Sequence, residues 1–340
     1  MGAGETRRAF LMAMGGAAAM AVSARARGGS ATGGAMPMRP LGRTGVDVSL
    51  MGIGGFHLGL PSEKDAIRIV QEAIDRGATF LDNCWDYNHG ESQRRMGKAL
   101  RGGYRERAFV MTKLDGRTAD SAARQLDDSL RALGIGHVDL LQIHEVIRPS
   151  DPERVFGRGG AIEAYERARE QGKTRFIGFT GHKSPDIHLA MLQTAKQHGF
   201  RFDAVQMPLN VMDAHMGAQS FEKQVLPILL REGIGVLGMK PMGSGGIPKS
   251  GVVSAASCLR YAMSLPVSVT ITGVDSADIL HQGLHAALRF EAMSDREKEG
   301  VLAQTAAAAH SGRYEQYKTT TRFDGTTSHP RWLDSAELGG

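Results

Sequence analysis

The feature that most constrains this chain is an alternation, repeated eight times, of a short apolar run with a segment of helical period. The runs are Met51–Gly54, Thr79–Cys84, Phe109–Lys113, Val138–His144, Arg175–Thr180, Ala204–Pro208, Gly235–Lys240 and Val267–Gly273. Each has strand length. The segments between them carry one apolar face, as in Ala66, Ile67, Val70 and Ile74, or in Leu226, Ile228, Leu229 and Leu230. Glycine closes these segments at Gly77, Gly102, Gly134, Gly172, Gly199 and Gly233, where a left-handed residue can stop a helix. Strand and helix in strict alternation imply a parallel sheet with right-handed crossovers. Eight repeats favour closure into a (β/α)8 TIM barrel over an open doubly wound sheet. A dinucleotide fold of the open kind needs a GxGxxG turn after its first strand. Gly52-Ile53-Gly54-Gly55 lacks that spacing, and no acidic residue follows at the right distance. These glycines mark either a close backbone approach to a ligand or neighbouring loop, or a tight turn. Before the first run, Arg39–Leu41 and Val46–Met51 read as a hairpin.

A length of 340 residues suits one such barrel with a leader. Thr6-Arg7-Arg8-Ala9-Phe10-Leu11 precedes a soft apolar stretch, Leu11 to Val22, and then Ser23-Ala24-Arg25-Ala26. The stretch is too short to span a bilayer, and the arginine pair resembles a twin-arginine (Tat) export signal. Residues 1–26 are therefore expected to be a signal peptide, 27–35 a linker and 36–340 the barrel domain. That expectation implies the Tat export machinery as a partner, a periplasmic or extracytoplasmic location and no stable membrane anchor. The net charge of +5 includes no run of Lys and Arg beyond the leader, so nucleic acid is not an expected partner. Cys84 and Cys258 belong to no CxxC pair, and no metal site is expected from their spacing.

In a barrel of this kind the chemistry sits at the C-terminal ends of the strands. Polar residues end three apolar runs: Asp82 after Phe80-Leu81, Lys113 after Phe109-Val110-Met111-Thr112, and His144 after Leu140-Leu141-Gln142-Ile143. Tyr87 follows in the loop after Asp82, and Glu145 follows His144, where it is expected to form a structural ion pair or, less readily, to touch substrate. A lone strand-end His or Lys is usually structural or solvated; their convergence on one barrel mouth is the informative observation.

The segment Leu81-Asp82-Asn83-Cys84-Trp85-Asp86-Tyr87 resembles the Asp-to-Tyr motif of aldo-keto reductases. Val110–Lys113 and Leu141–His144 resemble that family's lysine and histidine segments, and Leu41-Gly42-Arg43-Thr44-Gly45-Val46 its N-terminal hairpin. The resemblance runs from about Met36 to Arg289. It implies an oxidoreductase moving hydride between a nicotinamide cofactor and a small-molecule carbonyl, aldehyde, ketone or sugar, in either direction. Tyr87 would be the proton donor, Lys113 would lower its pKa, Asp82 would hold Lys113, and His144 would place the carbonyl.

The same resemblance assigns cofactor contacts. Thr180 and Gly181 stand where relatives carry Ser-Asn, and His182 either replaces the lost carboxamide or lines the substrate pocket, with His57 and Trp85 as further substrate candidates. Gln206 matches the family's carboxamide-binding glutamine. Met239 replaces a stacking aromatic, Lys240 could face the pyrophosphate, and Pro241, Met242, Gly243 and Gly245 lead the loop that wraps the phosphates. Gly273, Asp275, Ile279 and Gln282 fall at the adenosine end. No Lys or Arg lies between Ile271 and Leu280 to take a 2′-phosphate. NADP(H) is expected from the family, with NAD(H) the alternative. A helix is expected from Ser294 or Asp295, followed by a tail crossing the mouth, in which Tyr317, Phe323 and Trp332 line the pocket or pack the surface. Two other readings are a nicotinamide-binding module without turnover and a metal-dependent hydrolase using Asp82, His144 and Glu145.

Overall fold

The computed structural model describes residues 34–334. Residues 1–26, expected to be an export signal, and residues 27–33 of the expected linker lie outside the described residues.

A two-stranded antiparallel hairpin, β1 (Met38–Pro40) and β2 (Asp47–Ser49), precedes eight parallel strands. These are β3 (Met51–Gly54), β4 (Phe80–Asp82), β5 (Phe109–Leu114), β6 (Val138–Ile143), β7 (Thr174–Thr180), β8 (Ala204–Pro208), β9 (Gly235–Met239) and β10 (Val269–Gly273). Each pairs with the next, and β10 closes on β3 with Thr270 opposite Met51, giving a barrel in sequence order. The expected runs fall on these strands. The second is shorter than its apolar run, because Asn83 and Cys84 have already left the ladder to begin the loop that carries Tyr87.

Helices α1 (Glu63–Asp75), α2 (Glu91–Ala99), α3 (Ala119–Leu133), α4 (Asp151–Phe156), α5 (Ala161–Glu170), α6 (Pro185–Gln197), α7 (Phe221–Gln224), α8 (Leu226–Glu232), α9 (Ala255–Ser264) and α10 (Ala277–Leu288) surround the strands. The α1 face that meets the barrel consists of Ala66, Ile69, Val70, Ala73 and Ile74. All six glycines read as helix stops have positive φ, between 64° and 87°.

The hairpin plugs the barrel floor. Leu41 and Val48 are buried among Phe80, Phe109, Met111, Leu140 and Leu237 from the strands. Arg39 fixes it by donating to the carbonyls of Met263, Leu265 and Val267 at 2.9–3.2 Å. With that end filled by apolar side chains, the opposite mouth is left for polar groups. Helix α11 (Asp295–Ala309) starts at Ser294, whose hydroxyl and the Glu297 carboxylate form a reciprocal cap. The chain then returns through α12 (Gln316–Thr319) and α13 (Gly325–Ser328) across the mouth. There Arg117 N donates to Leu333 O at 2.7 Å, and Gln125 Nε2 to Trp332 O at 2.7 Å. Among the described residues no helix is long and apolar enough to cross a membrane.

Candidate active site at the barrel mouth

Asp82 ends β4 and Lys113 sits one residue before the end of β5 on the neighbouring strand. Lys113 is 1% exposed, so its ammonium needs a partner for each of its three protons. It has three. It is ion-paired and hydrogen-bonded with Asp82, donates to Asn83 O at 2.9 Å, and donates to Tyr87 Oη at 3.2 Å. The second Asp82 oxygen accepts from Gln206 Nε2 at 2.8 Å. Tyr87 Oη is thereby placed against a charged donor at the C-terminal end of the barrel.

The expected lowering of the Tyr87 pKa is not what this environment produces. Burial pushes the phenol well above its ordinary value, and the acidic side chains Asp82, Asp86 and Glu145 push the same way. Lys113 is already neutralised by Asp82, so its cation does not free a phenolate. The phenol stays protonated, which suits a proton donor.

His144 follows β6. Its Nδ1 lies 2.9 Å from Asp115 Oδ1 and 3.2 Å from Cys84 Sγ. Burial alone would depress the imidazole, but Asp115, with Asp86 and Glu145 behind it, raises its pKa above the ordinary value. Asp115 was not legible as a partner in the sequence; its one signal is an acidic residue two positions after a strand-end lysine. Trp85 was assigned to substrate, but it is buried and donates its indole N–H to Asp115 Oδ2 at 2.6 Å, while its ring meets Trp332 edge-on. It supports the support of His144. Arg117, also missed, is fully buried between loops. It pairs with Asp151 at 2.9 Å and donates to the backbone carbonyls of Asp115, His144 and Glu145 at 2.7–2.9 Å.

Among the described residues Glu145 forms no ion pair of the expected kind. Its backbone is left-handed, φ 46°, and its carboxylate accepts from Gly325 N, Thr326 N and Thr326 Oγ1 at 2.6–2.8 Å. His182 likewise turns to the tail: Nε2 lies 2.9 Å from Asp324 Oδ1, and burial holds its pKa below the ordinary value. Tyr317 and Trp332 are buried and Phe323 half-buried. Lys240, at positive φ, sets Nζ over the Tyr317 and Phe323 rings at 5.2 and 5.1 Å, and burial lowers its pKa to about 8.

Beside the tetrad opens a cavity of about 360 Å³. Its wall runs from Gly54–His57 past Asp82, Tyr87 and Gln206 to Met239–Met242, Gly245, Gly273, Asp275 and Ile279. Gln206 Oε1 faces no hydrogen-bond partner although it is buried. His57 packs on Gly273 so closely that a β-carbon there would sit 2.2 Å from the ring. Gly55 is a close approach between protein segments: a β-carbon would meet Asp82 O at 2.4 Å. Thr180 is buried behind Met239, with Oγ1 4.0 Å from the sulfur, and Gly181 packs on the Val146 carbonyl. Neither they nor His182 belongs to the wall described. A second cavity, about 580 Å³, shares Met242, Gly273 and Ile279 with the first and reaches Gln282, Arg260 and Arg289.

The family model described as "Aldo/keto reductase family" matches residues 50–255. The chain belongs to the aldo/keto reductase family. It is 29% identical over 227 residues to L-galactose dehydrogenase of Arabidopsis thaliana, covering 63% of this chain and 68% of that protein. It is 27% identical over 226 residues to the uncharacterized oxidoreductase YrpG of Bacillus subtilis (strain 168), covering 60% and 66%. Among solved structures, the holo form of aldo-keto reductase AKR11C1 from Bacillus halodurans superposes with TM-score 0.67 at 20% identity, over 79% of this chain and 96% of that one, a likeness of fold. The matches thus span about two thirds of the curated relatives' length. Membership makes the protein an oxidoreductase of carbonyl substrates. In this reductase the three residues of the hydrolase reading do not converge. Asp82 holds Lys113, Glu145 holds the tail, and His144 stands on Asp115.

Proposed function

We propose that this reductase interconverts a carbonyl and an alcohol with a nicotinamide cofactor, using Tyr87 as the proton donor. The observation that carries the reading is the saturated Lys113 ammonium, whose third proton points to Tyr87 Oη. A bound nicotinamide supplies the hydride. In reduction the carbonyl carbon takes hydride and the carbonyl oxygen takes the Tyr87 proton; His144, steadied by Asp115, directs that oxygen. The contacts of the His144 ring are made through Nδ1, which leaves Nε2 for the substrate.

The residues present fit the cofactor. The unpaired Gln206 Oε1 is an acceptor for a carboxamide N–H, and Met239 offers a polarisable sulfur for the ring face. Gly243 and Gly245, both at positive φ, give a loop of close backbone N–H groups for the phosphates. Gly273, Asp275, Ile279 and Gln282 line the route to the second cavity. NADP(H) is favoured: where the segment between Ile271 and Leu280 has no Lys or Arg, the second cavity offers Arg289, just past α10, and Arg260 on α9, which also pairs with Glu297 at 2.8 Å. NAD(H) is the alternative, supported by Asp275. The similarity to a dehydrogenase named for a sugar, L-galactose, makes hydroxylated carbonyls a sensible first panel. The arginine pair of the leader supports export in folded form through the Tat machinery, to be checked by N-terminal sequencing of extracytoplasmic protein.

Tyr87→Phe tests the reaction. Carbonyl reduction should fall on the order of 10²-fold or more, with nucleotide affinity nearly unchanged. Wild-type turnover in this variant overturns the assignment.

A further inference from the structure

Four side chains behind the reacting face of His144 form a grouping that carbonyl reduction alone does not explain. Cys84, Asp86, Asp115 and His144 each bring one donor atom to within 4.8 Å of all the others. Three of them crowd one ring nitrogen: Asp115 Oδ1 at 2.9 Å, Cys84 Sγ at 3.2 Å and Asp86 Oδ1 at 3.9 Å from His144 Nδ1. One N–H can serve one of these. Asp86 Oδ1 is left buried with no hydrogen bond of good geometry, facing only the Cys84 thiol and His144 Nδ1 at 3.9 Å, an unfavourable state for a carboxylate oxygen. The Cys84 thiol is wholly buried and unpaired with Cys258, which is also a free thiol.

We propose that these four residues bind a single divalent transition-metal ion of the zinc class. The donors are one sulfur, one imidazole nitrogen and two carboxylate oxygens, a set that zinc accepts in tetrahedral geometry at about 2.0–2.3 Å. Such radii put ligand atoms roughly 3.3–3.8 Å apart, and the separations above bracket that range. The charge and proton balance is simple. The ion displaces the Cys84 thiol proton to solvent and bonds the thiolate, both carboxylates and Nδ1. His144 gives up its Nδ1 proton to free that nitrogen for the ion: in the neutral ring the proton passes to Nε2, and in the imidazolium it leaves to solvent while Nε2 keeps its own. Trp85 Nε1, on the other Asp115 oxygen at 2.6 Å, and Arg117, on the Asp115 carbonyl at 2.7 Å, orient a ligand from outside the cluster. The ion is structural in type, closed by four protein ligands, and it fixes His144 as an Nε2–H donor. Carbonyl reduction in this family reading does not require it.

The test uses the full chain, without a histidine tag, freed of metal with a chelator and dialysed against zinc or cobalt(II). About one equivalent should remain bound after gel filtration, with a dissociation constant below roughly 1 µM. The cobalt form should show a sulfur-to-metal charge-transfer band in the near ultraviolet. Cys84→Ser should abolish that band, and Asp86→Asn should weaken metal affinity at least about tenfold. Asp86→Asn removes a buried carboxylate that faces Asp115 and Glu145, so in the metal-free state it should melt at or above wild type, and loss of metal in that variant is not loss of folding. Metal content far below one equivalent in well-folded wild type overturns the proposal. So does binding that survives unchanged in both variants. Neither readout depends on reductase turnover, so failure of the Tyr87 assignment and failure of this site are distinguishable.

Discussion

Lys113 and Gln206 divide Asp82 between them, one oxygen each, and this division sets what each can still offer. Gln206 gives an amide N–H to Asp82 and keeps its carbonyl oxygen free, so on the proposed function it would suit a carboxamide N–H better than a carbonyl. Gln206→Leu should therefore weaken nucleotide binding by about tenfold or more and lower stability by about 1–3 kcal/mol, since Asp82 Oδ2 loses its donor. Fluorescence titration and thermal melting check the two effects separately; unaltered affinity would remove Gln206 from the cofactor site. Asp275 is the other decisive side chain, because it shares the cavity wall with His57 and Ile279. Asp275→Lys should shift the ratio of dissociation constants towards NADP(H) by about tenfold, the equivalent of roughly 1.4 kcal/mol. An unmoved ratio would show that Asp275 does not face the ribose. The convergence of Asp82, Lys113 and His144 was legible because each ends an apolar run, whereas Tyr87, in the loop after Asp82, was legible only through its motif. Asp115, Arg117 and the true place of Trp85 were not, because their contacts join loops that only the closed barrel brings together.

At the scale of elements, the tail after α11 is held to the loops beyond β6 and β7 by two acidic anchors. Glu145 takes three hydrogen bonds from residues 325 and 326, and Asp324 binds His182 and Lys183. The tail was read as a mouth-crossing segment, yet its packing could not be read: Tyr314 to Trp332 has no apolar period, and its ordering comes from polar groups that sit elsewhere in the chain. Glu145 looked like an ion-pair residue for the same reason. Two of its three partners are backbone N–H groups, which carry no mark in sequence, and the third is the Thr326 hydroxyl. Glu145→Ala should leave the barrel intact but free the tail, seen as faster proteolysis after about residue 315. With the mouth less well covered, KM for the carbonyl should rise several-fold while kcat moves little. Unchanged proteolysis and KM would mean that the other contacts of the tail, from Asp324, Arg148 and Arg117 among them, hold it without Glu145.

For the molecule as a whole, periodicity and glycine placement announced the barrel, and closure follows from the β10–β3 pairing that no local pattern encodes. Stability is another whole-molecule property, and one buried carboxyl outside the mouth makes it depend on pH. Burial pushes Glu222 up to about 7; Asp213 adds to the rise, while Lys223, Lys298 and the hydrogen bond from Tyr261 Oη at 3.0 Å oppose it. The folded protein therefore holds a proton that the unfolded chain releases near the ordinary carboxyl value. Between that value and about pH 7 the native state binds more protons, so stability falls as pH rises through the window and levels off above it. Glu222→Gln removes the ionisation and can still accept from Tyr261. Because Glu222 is only partly shut from solvent, the gain above pH 7 should be about 1 kcal/mol, or about 2–4 °C in Tm. The variant and wild type should melt together near pH 4.5 and separate as pH rises to 8. Melting curves that stay parallel across that range would show that Glu222 ionises in the folded protein as freely as in the unfolded chain.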